Sequence, residues 1–250
     1  MFDLHCHILP GVDDGAENME EALEMAVMAA SGGTRGIAVT PHANLPGSEN
    51  RYWEPGMLET VNTLQRILTE MAIPIQLYTG QEIFLTEDVP ELLQEGKLLT
   101  VNRTQYVLTE LDFQIHAAYA IHLLKNLRSA GYVPVLAHPE RYAFVMEEPD
   151  VIWALKKAGC MLQVNQGSLL GSFGAAAQKT AHYICRKRFA DLVASDGHST
   201  YIRTANMAEV REMLSEMYTD TYADVLLYQN PYHILCGDGI MGYTRNKQEK

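Results

Sequence analysis

Two histidines, His5 and His7, stand one residue apart near the start of this chain, followed closely by Asp13 and Asp14. Strand side chains alternate with period two, so His5 and His7 project to one side while Cys6 points away, and the pair can grip one ion. A lone His-x-His is a weak motif, and its weight here comes from recurrence. Six later apolar stretches each stop on a polar or ionisable residue: His42, Glu82, Glu110, His138, Asn165 and the pair Asp196/His198. With one of Asp13 or Asp14, these make nine imidazole and carboxylate ligands, more than one ion uses. At about four to six ligands per ion, with one carboxylate bridging, they would hold two or three divalent ions. Such mixed ligands suit Mn, Fe or Zn, and the lack of thiolates argues against a structural zinc. Clustered divalent ions lower the pKa of a shared water and clamp phosphoryl oxygens during in-line attack, so hydrolysis, foremost of a phosphate ester, is the expected chemistry.

These residues need elements that bring them to one place. Seven short apolar strands are expected at Phe2 to His5, Gly36 to Thr40, Ile75 to Thr79, Tyr106 to Thr109, Val133 to Ala137, Met161 to Val164 and Leu192 to Ser195. Helical spacing lies between them at Glu17 to Ser31, Met57 to Met71, Ile115 to Ala130, Asp150 to Ala158 and Gly174 to Arg188, then at Thr204 to Tyr218 and Tyr222 to Leu227. Ala43 to Pro55 reads as a loop, Val89 to Gln94 as a short helix, Leu98 to Val101 as a minor strand, and the stretch after Asn230 as a Gly- and Tyr-rich tail. Strands alternating with helices imply parallel pairing and a closed or nearly closed barrel, in which chemistry gathers at the carboxyl ends of the strands.

With 250 residues, 47% hydrophobic and 20% charged, the chain suits one large domain over residues 1–250. A formal charge of -12 disfavours nucleic acid as a partner. No apolar run approaches the ~20 residues of a membrane span and no secretory pattern opens the chain, so no membrane insertion and a cytoplasmic location are expected. Cys6, Cys160, Cys185 and Cys236 lack C-x-x-C spacing and read as reduced thiols. No cysteine has an arginine six positions on, G-x-S-x-G is missing, and the G-x-G-x-x-G at Gly237 to Gly242 has too little chain after it for a dinucleotide helix.

Asp3-Leu4-His5-Cys6-His7, Asp13-Asp14-Gly15, Thr40-Pro41-His42, Gly80-Gln81-Glu82-Ile83, Glu110, Ala137-His138-Pro139-Glu140-Arg141-Tyr142 and Ser195-Asp196-Gly197-His198 together resemble the polymerase-and-histidinol-phosphatase (PHP) superfamily. In particular they resemble its manganese-dependent bacterial protein-tyrosine phosphatases of capsule and exopolysaccharide synthesis. The resemblance runs from residue 1 to about Arg203 and implies a distorted (β/α)7 TIM-like barrel. It implies that His5, His7, Glu82 and Asp196 hold one ion, and that Glu82 bridges to a second held with His42, Glu110 and His138. Asp14, favoured over Asp13 by the family pattern, and His198 would help hold a third. Manganese is the implied metal, with Fe, Zn or Mg as substitutes. Arg141 and Arg203 match the family's phosphate-binding arginines, whose planar fork suits a phosphoryl dianion, and His198 is counted with them in catalysis. Hydroxide held by the ions would attack the phosphorus of phosphotyrosine, and a phenol leaving group of pKa ~10 lessens the need for a strong general acid.

The implied partner is a bacterial tyrosine kinase with a tyrosine-rich tail. Relatives form ring-like homo-oligomers through the first helix, using an acidic pair followed by arginine; this chain has Glu20-Glu21, but Met25 where the arginine is expected. Histidinol-phosphate phosphatase would share nearly all these ligands and stands as the rival within the superfamily. An amidohydrolase would place a lysine where Glu82 or Glu110 stands, and a non-catalytic metal-binding module is the rival of another class. Asp3 is expected to orient a histidine. Cys6 is expected to be a packing residue, and His116, His122, His182 and His233 to lie outside the site.

Overall fold

The computed structural model describes residues 1–47 and 52–240. Nine strands run parallel in two sheets: β1 Phe2–Cys6, β2 Gly36–Val39, β3 His42–Ala43, β4 Gln76–Thr79, β5 Glu82–Phe84, β6 Tyr106–Glu110, β7 Val133–Ala137, β8 Met161–Asn165 and β9 Leu192–Ala194. One sheet has the order β1-β2-β4 and the other β3-β5-β6-β7-β8-β9. The seven expected strands become nine because the second and third each break in two. Pro41 lacks the N–H that would continue one ladder. At the other break, the Gln81 side chain turns away to accept from Leu99 N at 2.9 Å. Both segments then resume one sheet over, with His42 paired to Glu82. The sheets meet again where Asp196 N donates to His5 O and His7 N to Gly197 O, each at 2.8 Å.

Helices α1 Met19–Ser31, α2 Pro55–Glu70, α3 Val89–Gln94, α4 Ala117–Ser129, α5 Ala143–Glu147, α6 Ile152–Lys157, α7 Gln166–Leu169, α8 Ala175–Arg186, α9 Ala208–Met217, α10 Asp220–Asp224 and α11 Asn230–Cys236 fill the connections. Asn18 caps α1 by accepting from Glu21 N at 3.1 Å, which satisfies one of the helix's free amides. Met25 is fully buried, in the apolar cluster that also holds Ile37 and Leu64, and so is not on the outer face of α1. Among the described residues, no helix is long and apolar enough to cross a membrane.

An inner apolar cluster draws Leu4, Ala38, Leu108, Val135, Met161 and Leu192 from strands of both sheets. The segment over residues 230–240 is not a loose tail. It forms α11, whose Ile234 and Leu235 seal the inner cluster, and Tyr106 Oη donates to Asp238 O at 2.6 Å beyond it. Leu98 to Val101 forms no strand. Leu98 donates back to Leu92 and the chain then enters a single 3-10 turn, Val101–Arg103. Of the glycine-rich run at its end, Met241 and Gly242 lie outside the described residues, as do residues 48–51 of the loop after β3.

Candidate metal centre

The carboxyl ends of the strands converge as their sequence pattern anticipates. His5 and His7 leave β1 on the same side, their Nε2 atoms 3.1 Å apart, while Cys6 packs into the outer apolar cluster. Glu82 and His42 arrive in register from β5 and β3. Glu110 ends β6, His138 follows β7, and Asp196 and His198 follow β9. Their ligand atoms fall into three overlapping groups, each within 4.8 Å: His7, Asp14, His42 and His198; His5, His7 and Asp196; and His42, Glu82 and Glu110. His138 joins none of these groups, but its Nε2 lies 3.0 Å from Glu82 Oε1.

The hydrogen bonds around the rings decide where the lone pairs point. His5 Nδ1 lies 2.8 Å from Gln163 Oε1, His7 Nδ1 2.8 Å from Asp13 Oδ2, and His198 Nδ1 2.9 Å from the Asp196 carbonyl. A carboxylate and a carbonyl accept only, and the Gln163 amide donates elsewhere, so each Nδ1 carries a proton and each ring, when neutral, presents its lone pair at Nε2. Three lone pairs therefore face inward among carboxylates. The His5 and His7 Nε2 atoms face each other, and His198 Nε2 is buried without a hydrogen-bond partner. Buried acceptors in mutual contact are unfavourable unless a cation lies between them, and imidazole with carboxylate is the donor set of a borderline or hard divalent ion. The residues fit such an ion.

Electrostatics point the same way. Burial opposes a charged His5, but Glu82 and Asp196 outweigh it and push its pKa up to about 9. Burial likewise opposes a charged His42, yet Glu110 and Glu82 raise it to about 11. Despite burial, Glu82 is held well below its ordinary value by His5, His138 and His42, and Asp196 is lowered by His5 and Arg203. The site thus favours positive charge at its centre.

Asp13 and Asp14 separate cleanly. The Asp13 side chain is enclosed with both oxygens engaged, Oδ2 by His7 and by His42 N, and Oδ1 by Gly15 N at 3.1 Å. Asp14 is exposed, with Oδ1 3.4 Å from His42 Nε2 and 3.5 Å from His198 Nε2. Asp3, expected to orient an imidazole, touches none. It accepts from Ser195 N at 3.0 Å, from the Ser195 hydroxyl and from the His5 backbone, and so staples β1 to β9. His116, His122, His182 and His233 belong to none of the ligand groups.

Both arginines reach the centre. Arg203 Nη2 bonds Asp196 Oδ1, and Arg141 Nη1 lies 3.6 Å from Asp196 Oδ2. His138, Asp196 and Arg203 all hold positive φ, at 37°, 52° and 54°. For side chains with a Cβ this costs ~1–2 kcal/mol each, retained where the fold must aim these groups inward. Sequence reading assigned Gln163 no role, and Glu140 none beyond its place in the motif around His138. Gln163 Nε2 donates to Asn165 Oδ1 at 2.8 Å, and Asn165 Nδ2 donates to Asp196 Oδ2 at 2.6 Å, so two amides link His5 to Asp196. Polar Gln163 and Asn165 at period two in a fully buried strand were the available signal. Glu140 accepts from Asn165 N at 3.0 Å and anchors the turn that presents Arg141.

A family model described as capsular polysaccharide synthesis, CpsB/CapC, matches residues 1–236. Among curated proteins, the tyrosine-protein phosphatase YwqE of Bacillus subtilis is 35% identical over 87% of this chain and 85% of its own. The tyrosine-protein phosphatase CpsB of Streptococcus pneumoniae is 29% identical over 94% and 98%. A solved structure, from work on YwqE and CpsB as metal-dependent tyrosine phosphatases, superposes with a TM-score of 0.89 at 33% identity and covers 96% of each chain.

Proposed function

Because the chain belongs to the CpsB/CapC family of capsular polysaccharide synthesis, we propose that it is a metal-dependent tyrosine-protein phosphatase built on a distorted (β/α)7 barrel spanning residues 1–250 as one domain. The observation that carries this reading is the convergence of the His5, His7 and His198 Nε2 lone pairs on Glu82, Asp196 and Asp14, beside two arginines. His5, His7, Glu82 and Asp196 would hold one ion, Glu82 with His42, Glu110 and His138 a second, and Asp14 and His198 part of a third. His42 faces both ways, with Nδ1 toward Glu82 and Glu110 and Nε2 toward Asp14. Manganese is the metal we assign. Divalent ions at these positions would supply Lewis-acid charge and a nucleophile from water at neutral pH.

The chain's own residues do the remaining work. Arg141 and Arg203 bind the non-bridging phosphoryl oxygens and match their charge as it develops. Gln163 and Asp13 keep His5 and His7 in the tautomer that presents Nε2. A phenolate leaves with a conjugate-acid pKa of ~10, so the site needs no strongly acidic side chain beside the leaving oxygen. The substrate we assign is the tyrosine-rich tail of a cytoplasmic-facing bacterial tyrosine kinase in capsule or exopolysaccharide synthesis, met by a phosphatase in the cytoplasm.

The test is phosphate release by manganese-loaded protein from a phosphotyrosine peptide and from histidinol phosphate, with metal content measured in parallel. We expect two or three ions per chain and turnover of the peptide. Preferred turnover of histidinol phosphate would replace the substrate assignment, and a metal-loaded wild type releasing phosphate from neither would overturn the phosphatase reading.

A further inference from the structure

The ions and arginines account for a phosphoryl group but not for what carries it. We propose that Phe113 and Phe173 wall an aryl-binding slot beside the metal centre, which recognises the phenyl ring of the substrate; this rests on the phosphatase reading above. Phe113 lies in the turn after β6, held where its carbonyl accepts from Ala143 N at 2.9 Å. Phe173 lies between α7 and α8, its ring seated directly on Gly167, where a Cβ would come within 2.8 Å of it. The two rings flank the Arg141 guanidinium at 4.8 and 4.4 Å, and Phe173 also lies 5.8 Å from that of Arg203. Phe173 therefore stands between the two cations that would hold the phosphate.

Together with Met146 and Ala177, these residues line a pocket of about 210 Å³. Its Phe113 wall adjoins the ligand set, the ring lying 5.7 Å from that of His138. In an aryl phosphate the ring starts one bridging oxygen from phosphorus, so a phosphoryl group bound at Arg141 places its ring among these apolar walls. Phe113 is 38% exposed, more than packing requires of a phenylalanine. Two other pockets border the centre: one of about 410 Å³ is lined by Asp13, Asp14, Glu17 and Glu21 together with Tyr201 and Arg203, and one of about 380 Å³ shares Phe173 and Arg203. Carboxylates in the first of these face the negative surface of a π system, whereas the Phe113 and Phe173 rings offer edge and face contacts. Of the three pockets, that of about 210 Å³ alone holds both rings that flank Arg141, so ring recognition belongs on the Phe113 side.

Calorimetric binding of phenylphosphonate and methylphosphonate to the manganese-loaded protein isolates the ring, since the two probes share the phosphoryl group and neither is hydrolysed. We expect phenylphosphonate to bind about tenfold more tightly to wild type, on the scale of aromatic contacts. Phe113→Ala and Phe173→Ala should bring that ratio to within about twofold of unity, and Phe173→Leu, which keeps apolar volume but loses the π face, should leave about half the preference on a logarithmic scale. Any loss through a displaced Arg141 weakens both probes and cancels in the ratio. Far-ultraviolet circular dichroism and metal content check the fold, and exposed Phe113 gives a usable variant if Phe173→Ala is unstable. A wild-type ratio near one, or variants that keep the wild-type ratio, would overturn the slot. Because binding needs no turnover, a protein that prefers phenylphosphonate yet releases no phosphate would overturn the phosphatase reading alone.

Discussion

Replacing Gln163 with leucine removes the acceptor of His5 Nδ1 and the donor to Asn165 Oδ1 in one change. His5 then has no partner at Nδ1, so nothing favours the tautomer that presents its lone pair at Nε2. Asn165 loses the bond that orients its amide toward Asp196. Loss of one such supporting hydrogen bond to a metal ligand weakens metal binding about 10–100-fold, or about 1.4–2.7 kcal/mol. Gln163 is fully buried, so each polar group stranded by the change costs roughly 1–3 kcal/mol of stability. Each kcal/mol lowers Tm by about 2–4 °C in a chain of this size. The assay is a manganese titration of the chelator-stripped protein, followed by phosphate release and by calorimetry, with Tm recorded in metal and in chelator. We expect the titration midpoint to move up by at least tenfold while kcat at saturating metal falls less. Gln163→Glu restores an acceptor for His5 but not the donor to Asn165, and should recover only part of the affinity. An unchanged midpoint in folded Gln163→Leu would refute the idea that the amide relay sets the metal site.

Arg141→Ala should keep its metal content and lose about 10²–10³ in kcat toward an aryl phosphate, because a preorganised cation is removed from the developing charge; retained kcat would move the phosphate-binding role to Arg203 alone. Gly15→Ala places a Cβ 1.9 Å from the His7 carbonyl, so the loop bearing Asp13 and Asp14 must shift, and we expect metal stoichiometry measured by mass spectrometry to fall by at least one ion. Tyr142→Phe removes a fully buried hydroxyl that donates to Ala137 O at 3.0 Å and accepts from Leu111 N at 3.1 Å; denaturant unfolding should show a loss of about 1–3 kcal/mol with metal content unchanged.

Much of the site could be read from the chain because the relevant signals are local. A strand's period of two places His5 and His7 together, and each apolar run ends where its ionisable residue stands, so the ligand inventory and the parallel α/β architecture both emerge from patterns a few residues long. The motifs around His138 and Asp196 added the family, which no periodicity reveals. The failures are as physical as the successes. Leu98 to Val101 has the composition of a strand but no neighbour to pair with, and Asn230–Cys236 becomes a helix because its apolar residues seal the inner core.

Other features depend on groups brought together across long stretches of chain. Gln163 reaches His5 from 158 residues away, and Asp3 finds Ser195 from 192 residues away. Asp13 and Asp14 are adjacent and chemically identical, yet folding buries one beneath His7 and His42 and leaves the other exposed beside His42 and His198. Arg141 stands between Phe113 and Phe173 because the turn after β6 and the segment before α8 meet above the same strand ends. Local sequence determined which chemistry the chain carries, because periodicity and residue type act over a few bonds. Which carboxylate joins the candidate ligand groups, which amide holds a ring and where an aryl group would rest were decided only by tertiary packing, because those contacts join residues that share no local pattern.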